Sequence, residues 1–285
     1  MAGARMTFGV WLGLLPLLFP AASNATGPVR IGTSEFIYGD LAQQVGGAAV
    51  SVRLLDRRTT AAHGGNSVAG SDLVICSGMA NDAWLCDAAR SASPRPVVFE
   101  ALRYTAVKPD GASLPVYDPN AISAVAQDVA KELSRRAPAQ SSGIAANLAR
   151  YTDAVGPINR KIEEIARIWA GTDVFLTDAR LRGLVERLHF KIQDGAYIKE
   201  LQSGIAPSPK TIAELKDAVT GQKASIVFYD RDAATEITDE LVALANDAGI
   251  PVVGLGEKLP SGLHYQQWML RQLNAIRGAL NEASP

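Results

Sequence analysis

Short apolar runs alternate along the chain with longer stretches in which apolar residues recur at helical spacing. Apolar runs of this length, bounded by turn residues, are typical of buried strands, whereas apolar positions three and four residues apart are typical of helices that bury one face. The pattern predicts strands at residues 29–34, 50–55, 72–76, 96–100, 173–176, 224–229 and 251–255.

Helices are predicted between most of these strands. One of them has a strong start signal, because Asp118 is followed by Pro119, and aspartate at the N-cap with proline at the first helical position favours a helix. Strands that alternate with helices predict parallel sheets covered by helices. The predicted helices span residues 38–45, 80–89, 120–136, 181–188, 210–220, 234–248 and 265–280.

A helical pattern persists through residues 141–170. At 1.5 Å per residue such a helix is about 45 Å long, which suits a connection between two lobes better than packing within one. We therefore expect an α/β protein with two parallel-sheet lobes, a long linker helix and a ligand cleft between the lobes. The expected boundaries are residues 26–140 for the first lobe, 141–171 for the linker helix and 172–285 for the second lobe.

The first 25 residues are predicted to be a signal peptide. Arg5 precedes an apolar run at 6–20, and small residues follow at 21–25. A helix needs about 20 apolar residues to cross a bilayer, so a run of this length with a small-residue exit is typical of a cleaved signal. The region has no cysteine to carry a lipid anchor, and we expect an exported, soluble protein in the periplasm.

Composition excludes one class of partner and leaves one structural choice open. The chain has 285 residues and a formal net charge of −1, so it has no basic field that would hold a nucleic acid. Cys76 and Cys86 are its only cysteines. In an exported protein they can form a disulfide if their Cα atoms lie within about 7 Å, and otherwise they are two small buried thiols.

The carboxyl ends of the predicted strands carry side chains that can bind metal ions. Ligands of parallel α/β sheets bind at these strand ends, and two facing lobes would bring the residues into one cleft. Two other roles remain open, since an aspartate after a strand can form a turn and a loop histidine can simply be solvated. The candidates are Glu35, His63, Asp178, Asp230 and Asp232.

Four segments, in order, resemble the periplasmic solute-binding subunits of ABC transporters that import zinc, manganese or iron. They cover nearly all of the chain after the signal peptide. The segments are TSEFIYGDLAQQVGG at 33–47, DLVICSGMANDAWL at 72–85, Tyr117-Asp-Pro119, and GIPVVGLGEKLPSGLHYQQWM at 249–269.

The resemblance implies a set of metal ligands that departs from the family pattern. His63 corresponds to the family's first histidine, although the usual Asp-Pro pair before it is missing, and the second histidine falls on Leu114, which cannot bind a metal. Asp178 and Asp230 correspond to the third and fourth ligands, and Glu35 or water would complete the shell. This oxygen-rich set would shift relative preference from zinc towards harder ions such as manganese.

The resemblance also implies a function. We expect the protein to capture a divalent metal ion, zinc or manganese, as cargo and to deliver it as a monomer to an ABC permease in the inner membrane, without an organic cofactor and without catalysis. One alternative is a receptor of the same fold that has lost the metal site and binds another solute or a protein partner. A periplasmic hydrolase that uses His63 with Asp178 or Asp230 is a further alternative, although the chain has no nucleophile elbow, phosphate loop or His-Glu-x-x-His motif.

Overall fold

The computed structural model describes residues 27–58, 68–105, 114–193 and 195–283. The first lobe contains a parallel sheet of four strands in the order β2-β1-β3-β4. Its strands are β1 (Val29–Thr33), β2 (Val50–Leu54), β3 (Leu73–Cys76) and β4 (Val97–Glu100). Every residue of β3 is buried, as expected for a central strand covered on both faces.

The second lobe repeats this arrangement with the strand order β6-β5-β7-β8, again all parallel. Its strands are β5 (Asp173–Leu176), β6 (Lys191–Ile192), β7 (Ile226–Asp230) and β8 (Val252–Leu255). Strand β6 was not predicted, because it is two residues long and carries no apolar run.

The helices whose full ranges are described agree with the predicted ones to within a few residues, and one of them was not predicted. The extra helix is α6 (Gly195–Gln202). The described α-helices are α1 (Phe36–Gly46), α2 (Ala83–Ser91), α3 (Pro119–Arg136), α4 (Ser141–Trp169), α5 (Arg182–Arg187), α6, α7 (Pro209–Thr220), α8 (Glu236–Asp247) and α9 (Tyr265–Ala283). Asp118 caps α3 as expected, because its side chain accepts hydrogen bonds from the backbone N–H groups of Asn120 and Ala121.

Helix α4 connects the two lobes and continues through Pro157. It packs against α1 and α3 of the first lobe and against the C-terminal helix α9. Its buried side chains include Ile144, Tyr151 and Ile158, which lie on one face of the helix. The predicted fold class, two parallel-sheet lobes joined by a long helix, is confirmed, and the exact lobe boundaries stay a prediction.

The cysteine pair forms a disulfide. Cys76 is the last residue of β3 and Cys86 lies in α2, with their Cα atoms 5.9 Å apart. Both side chains are buried in a small apolar cluster on the outer face of the first sheet. Of the two alternatives left open by the sequence, the bonded one is therefore present.

None of the helices within the described ranges combines the length and the apolar character required to span a bilayer.

Candidate functional site

Acidic side chains follow three neighbouring strands of the second sheet. Asp230 is the last residue of β7, and Asp178 and Glu257 each lie two residues past the ends of β5 and β8. Because β5, β7 and β8 are adjacent and parallel, their carboxyl ends meet at one edge of the sheet. This arrangement brings the three carboxylates close to one another at the edge that faces the first lobe.

The guanidinium group of Arg180 lies among these three carboxylates. Its Nη2 donates to Asp178 Oδ2 at 2.9 Å and to Asp230 Oδ2 at 2.7 Å. Its Nη1 donates to Glu257 Oε2 at 2.8 Å, and its Nε lies 3.1 Å from Asp178 Oδ1. All three guanidinium nitrogens are thus paired with carboxylate oxygens, and one positive charge is shared by three negative ones.

Backbone N–H groups hold the same carboxylates in position. Asp178 Oδ1 accepts from the N–H of Arg180 at 2.8 Å, and Asp230 Oδ1 accepts from the N–H of Asp232 at 2.7 Å. Asp232 Oδ2 in turn accepts from the N–H groups of Glu257 and Lys258, both at 2.8 Å. Asp178 and Asp230 therefore act as turn formers, and Asp232 holds the loop that carries Glu257.

Burial and charge act in opposite directions on these groups. Burial raises the pKa of Asp230 and of Glu257, and the guanidinium of Arg180 counters this effect in both. Burial would lower the pKa of Arg180, yet its bonds to Asp178 and the charges of Glu257 and Asp230 raise it instead. The side chain of Asp230 is only 2% exposed, so its charge depends on Arg180 for compensation.

Glu35 is the first lobe's carboxylate at this cleft. It lies two residues past the end of β1, and its Oε1 accepts a hydrogen bond from Asn81 Nδ2 at 3.2 Å. Burial raises the pKa of Glu35 to about 8, and the negative charges of Asp82 and Glu257 add to this effect. Glu257 belongs to the second lobe, so carboxylates of both lobes act on the ionisation of Glu35.

The segment before α3 closes one side of the cleft. The N–H of Leu114 donates to the carbonyl oxygen of Arg180 at 3.3 Å, and the hydroxyl of Tyr117 donates to that of Gly256 at 2.8 Å. Asp118 also forms an ion pair with Arg187 of the second lobe at 2.5 Å. The side chain of Leu114 is buried, and its backbone contact joins this segment to the turn that carries Arg180.

The structure brings some of the candidate ligands together and leaves others apart or undescribed. Asp178 and Asp230 are brought together by their shared partner Arg180, and Glu35 lies in the first lobe across the cleft. His63 lies outside the described residues. Within the described ranges, no three histidine, cysteine, aspartate or glutamate side chains converge closely enough to hold a metal ion. The ligand set of His63, Asp178, Asp230 and Glu35 therefore stays a prediction.

Two residues of the site were missed at the sequence level. Glu257 lies two residues after a predicted strand, like Glu35 and Asp178, so the same strand-end criterion would have included it. Arg180 lies two residues after a candidate ligand, and a cation so close to an acidic ligand is the signal that could have revealed the ion pairs.

A comparison with models of known protein families finds a family that matches most of the chain. The family model described as "ZnuA: Zinc-uptake complex component A periplasmic" matches residues 31–279. That range includes both sheets, the linker helix and all the cleft residues described above. No curated protein sequence matches the chain.

Several solved structures share the fold across nearly the whole chain. FpvC from Pseudomonas aeruginosa, solved in complex with Mn²⁺, is 17% identical with a TM-score of 0.70, covering 90% of this chain and 100% of that one. The laminin-binding protein Lmb of Streptococcus agalactiae, described as having adhesin and metal transporting activity, is 18% identical with a TM-score of 0.69, covering 88% and 99%. A Cd-bound periplasmic metal binding protein from Candidatus Liberibacter asiaticus is 16% identical with a TM-score of 0.66, covering 88% and 99%. At identities this low, the structural similarity shows a common fold alone.

Proposed function

The chain belongs to the family of periplasmic metal-binding components of zinc-uptake complexes, and from this premise we propose that it captures a divalent metal ion and delivers it to an ABC importer. The cargo is zinc or manganese. Residues 1–25 direct export as a signal peptide and are then cleaved. The mature protein works in the periplasm as a monomer and passes the ion to a permease in the inner membrane. It performs no chemistry on the ion.

The observation that carries this proposal is the group of carboxylates at the cleft edge of the second lobe. Asp178, Asp230 and Glu257 already surround a cation there, namely the guanidinium of Arg180. Side-chain oxygens directed at one positive charge are the kind of ligand that hard divalent ions prefer. The cleft is therefore suited in charge to a cation and unsuited to an anionic solute.

The proposed ligands are His63, Asp178, Asp230 and Glu35. A single imidazole among carboxylates is poorer in nitrogen than typical zinc sites, which favours manganese relative to a histidine-rich receptor. Glu35 must lose a proton to bind a metal, because its pKa is about 8 in the metal-free protein. Metal capture at pH 7 is thus expected to release protons.

Isothermal titration of the metal-stripped mature protein with zinc and with manganese tests the proposal. We expect a saturable single-site isotherm that His63→Ala weakens at least about tenfold, or about 1.4 kcal/mol. His189→Asn is the matched control. It removes an exposed imidazole from the second lobe, at a left-handed backbone position that asparagine tolerates.

Two results would count against the proposal. Absence of saturable binding for both ions would overturn metal capture and favour a receptor for another solute or a protein partner. Equal losses in the His63 and His189 variants would remove His63 from the ligand set.

A further inference from the structure

We propose that Arg180 is an internal competitor of the metal ion: its guanidinium occupies the cation position among Asp178, Asp230 and Glu257, and the cargo must displace it before Asp178 and Asp230 can bind the metal. This inference rests on the proposed function, because it concerns the same cleft. It assigns to Arg180 the role of setting the affinity of the site.

The guanidinium uses the oxygens that a metal would need. Both oxygens of Asp178 lie within 3.2 Å of Arg180 nitrogens, and Asp230 gives one oxygen to Arg180 and the other to a backbone N–H. A metal ion binds such oxygens at about 2.0–2.2 Å. A divalent ion on these oxygens would repel the guanidinium at such short range in a partly buried cleft, so the two cations compete for them.

The spacing of the carboxylates also suits a guanidinium. They are arranged around a planar guanidinium, which is wider than a metal ion, and in the described part of the chain no three acidic, imidazole or thiol side chains come close enough to hold an ion. The conformation of the cleft therefore fits Arg180. Departure of the guanidinium would allow the carboxylates to close on a smaller cation.

The side chain of Arg180 can leave without unfolding its surroundings. Its main chain is fixed at both ends, because its N–H donates to Asp178 and its carbonyl oxygen accepts from Leu114. Its side chain, by contrast, is 26% exposed and has a flexible stem. A rotation about side-chain bonds is enough to move the guanidinium from the carboxylates into solvent.

Competition of this kind lowers affinity and assists release. Binding of the metal costs three ion pairs of Arg180, so the net affinity is lower than the carboxylates alone would give. On delivery, the guanidinium can return to Asp178, Asp230 and Glu257 and compensate the charges that the departing ion leaves behind.

The test compares metal titrations of the wild type, Arg180→Lys and Arg180→Gln, with zinc and manganese as the titrants. We expect Arg180→Gln to bind at least about tenfold more tightly than the wild type, because glutamine carries no charge. Arg180→Lys should lie between them, since a single ammonium replaces a three-nitrogen fork. Arg182→Gln is the control, as Arg182 pairs with Glu186 and Gln202 among the described residues.

Thermal unfolding separates competition from a purely structural role. Metal-free Arg180→Gln should melt at a lower temperature than the wild type, since three carboxylates lose their counter-charge, and saturating metal should raise its melting temperature by more. A structural role alone predicts the first change without the second. If the glutamine variant does not fold, the comparison of Arg180→Lys with the wild type decides the question.

The outcomes distinguish this inference from the proposed function. Tighter binding in the order Gln, Lys, Arg supports competition. Wild-type binding that the variants leave unchanged or weaken overturns competition and leaves metal capture intact. Binding by Arg180→Gln without binding by the wild type supports competition and overturns metal delivery by the natural chain, and absence of binding in every variant overturns both.

Discussion

The hydroxyl of Tyr117 donates a hydrogen bond of 2.8 Å to the carbonyl oxygen of Gly256, which joins the first lobe to the second. A second bond runs the other way, because the hydroxyl of Tyr265 donates to the carbonyl oxygen of Val116 at 3.0 Å. The ring of Trp268 packs against both tyrosine rings, with centroids 5.9 Å away in each case. The lobes are therefore tied beside the cleft as well as through α4, and we expect small relative motion between them.

Loss of the Tyr117 hydroxyl should weaken this connection. Tyr117→Phe leaves the buried carbonyl of Gly256 without its donor, and we expect the free energy of unfolding to fall by about 1–2 kcal/mol. Urea denaturation measures the change. Tyr229→Phe is the control, since that hydroxyl makes no hydrogen bond with any described residue, and an equal loss in both variants would contradict the assigned role.

The side chain of Asp82 accepts hydrogen bonds from two backbone N–H groups. It is buried, and its carboxylate accepts from the N–H of Ser77 at 2.6 Å and from that of Gly78 at 3.1 Å. Asp82→Ala removes both acceptors and should lower the free energy of unfolding by about 3 kcal/mol, whereas Asp82→Asn keeps one acceptor oxygen and should cost less. Chemical denaturation measures both effects.

Asp87→Ala provides the comparison for Asp82. Asp87 lies in helix α2, which Asp82 precedes, but it is 73% exposed and pairs only with Arg90 in the described structure, so its loss should change stability by less than about 1 kcal/mol. A loss at Asp82 no larger than that at Asp87 would show that the bonds to Ser77 and Gly78 do not stabilise the fold.

The stability of the metal-free protein should depend on the ionisation of Glu35. Its pKa rises from 4.5 to about 8 on folding, chiefly because burial disfavours the charged carboxylate. The folded state thus binds the proton more tightly than the unfolded state, so this contribution is complete below pH 4.5 and is lost as the pH rises to about 8. The loss should be about 1–3 kcal/mol, below the full value of the shift because the carboxyl group is partly exposed.

Glu35→Gln isolates that contribution. Glutamine cannot ionise, so the difference in stability between the variant and the wild type should increase in the variant's favour between pH 4.5 and pH 8. Thermal unfolding in buffers across this range, with chelator present, measures the difference. A difference that does not change with pH would show that Glu35 titrates as in an unfolded chain.

The sequence predicts the fold more completely than the cleft, for a physical reason. Strands such as β3 and helices such as α3 follow from local periodicity and from the Asp118-Pro119 start signal, which act over a few residues. The ion pairs of Arg180 join it to residues 50 and 77 positions away, so they depend on which strands become neighbours. The sequence could not decide whether Cys76 and Cys86 form a disulfide for the same reason, since a separation of 10 residues does not determine the distance between their Cα atoms.

The backbone contact between Leu114 and Arg180 leads to a prediction about the histidine that the family resemblance implies at position 114. The resemblance to metal-binding subunits places the family's second histidine at Leu114, whose N–H bonds to the carbonyl oxygen of Arg180. Leu114→His alone should gain little zinc affinity, because Arg180 still holds Asp178 and Asp230. The double variant Leu114→His with Arg180→Gln should bind zinc more tightly than the two single effects predict, and the gain should be smaller for manganese, since imidazole suits zinc better.

A double-mutant cycle of zinc titrations measures this coupling. We expect a coupling of at least about 1 kcal/mol, in the range usual for residues that share a site. Leu114→Gln with Arg180→Gln is the control, because it places a polar side chain of similar size there without an imidazole. If Leu114→His raises zinc affinity equally with and without Arg180, then the arginine does not compete for the carboxylates that the new histidine would join.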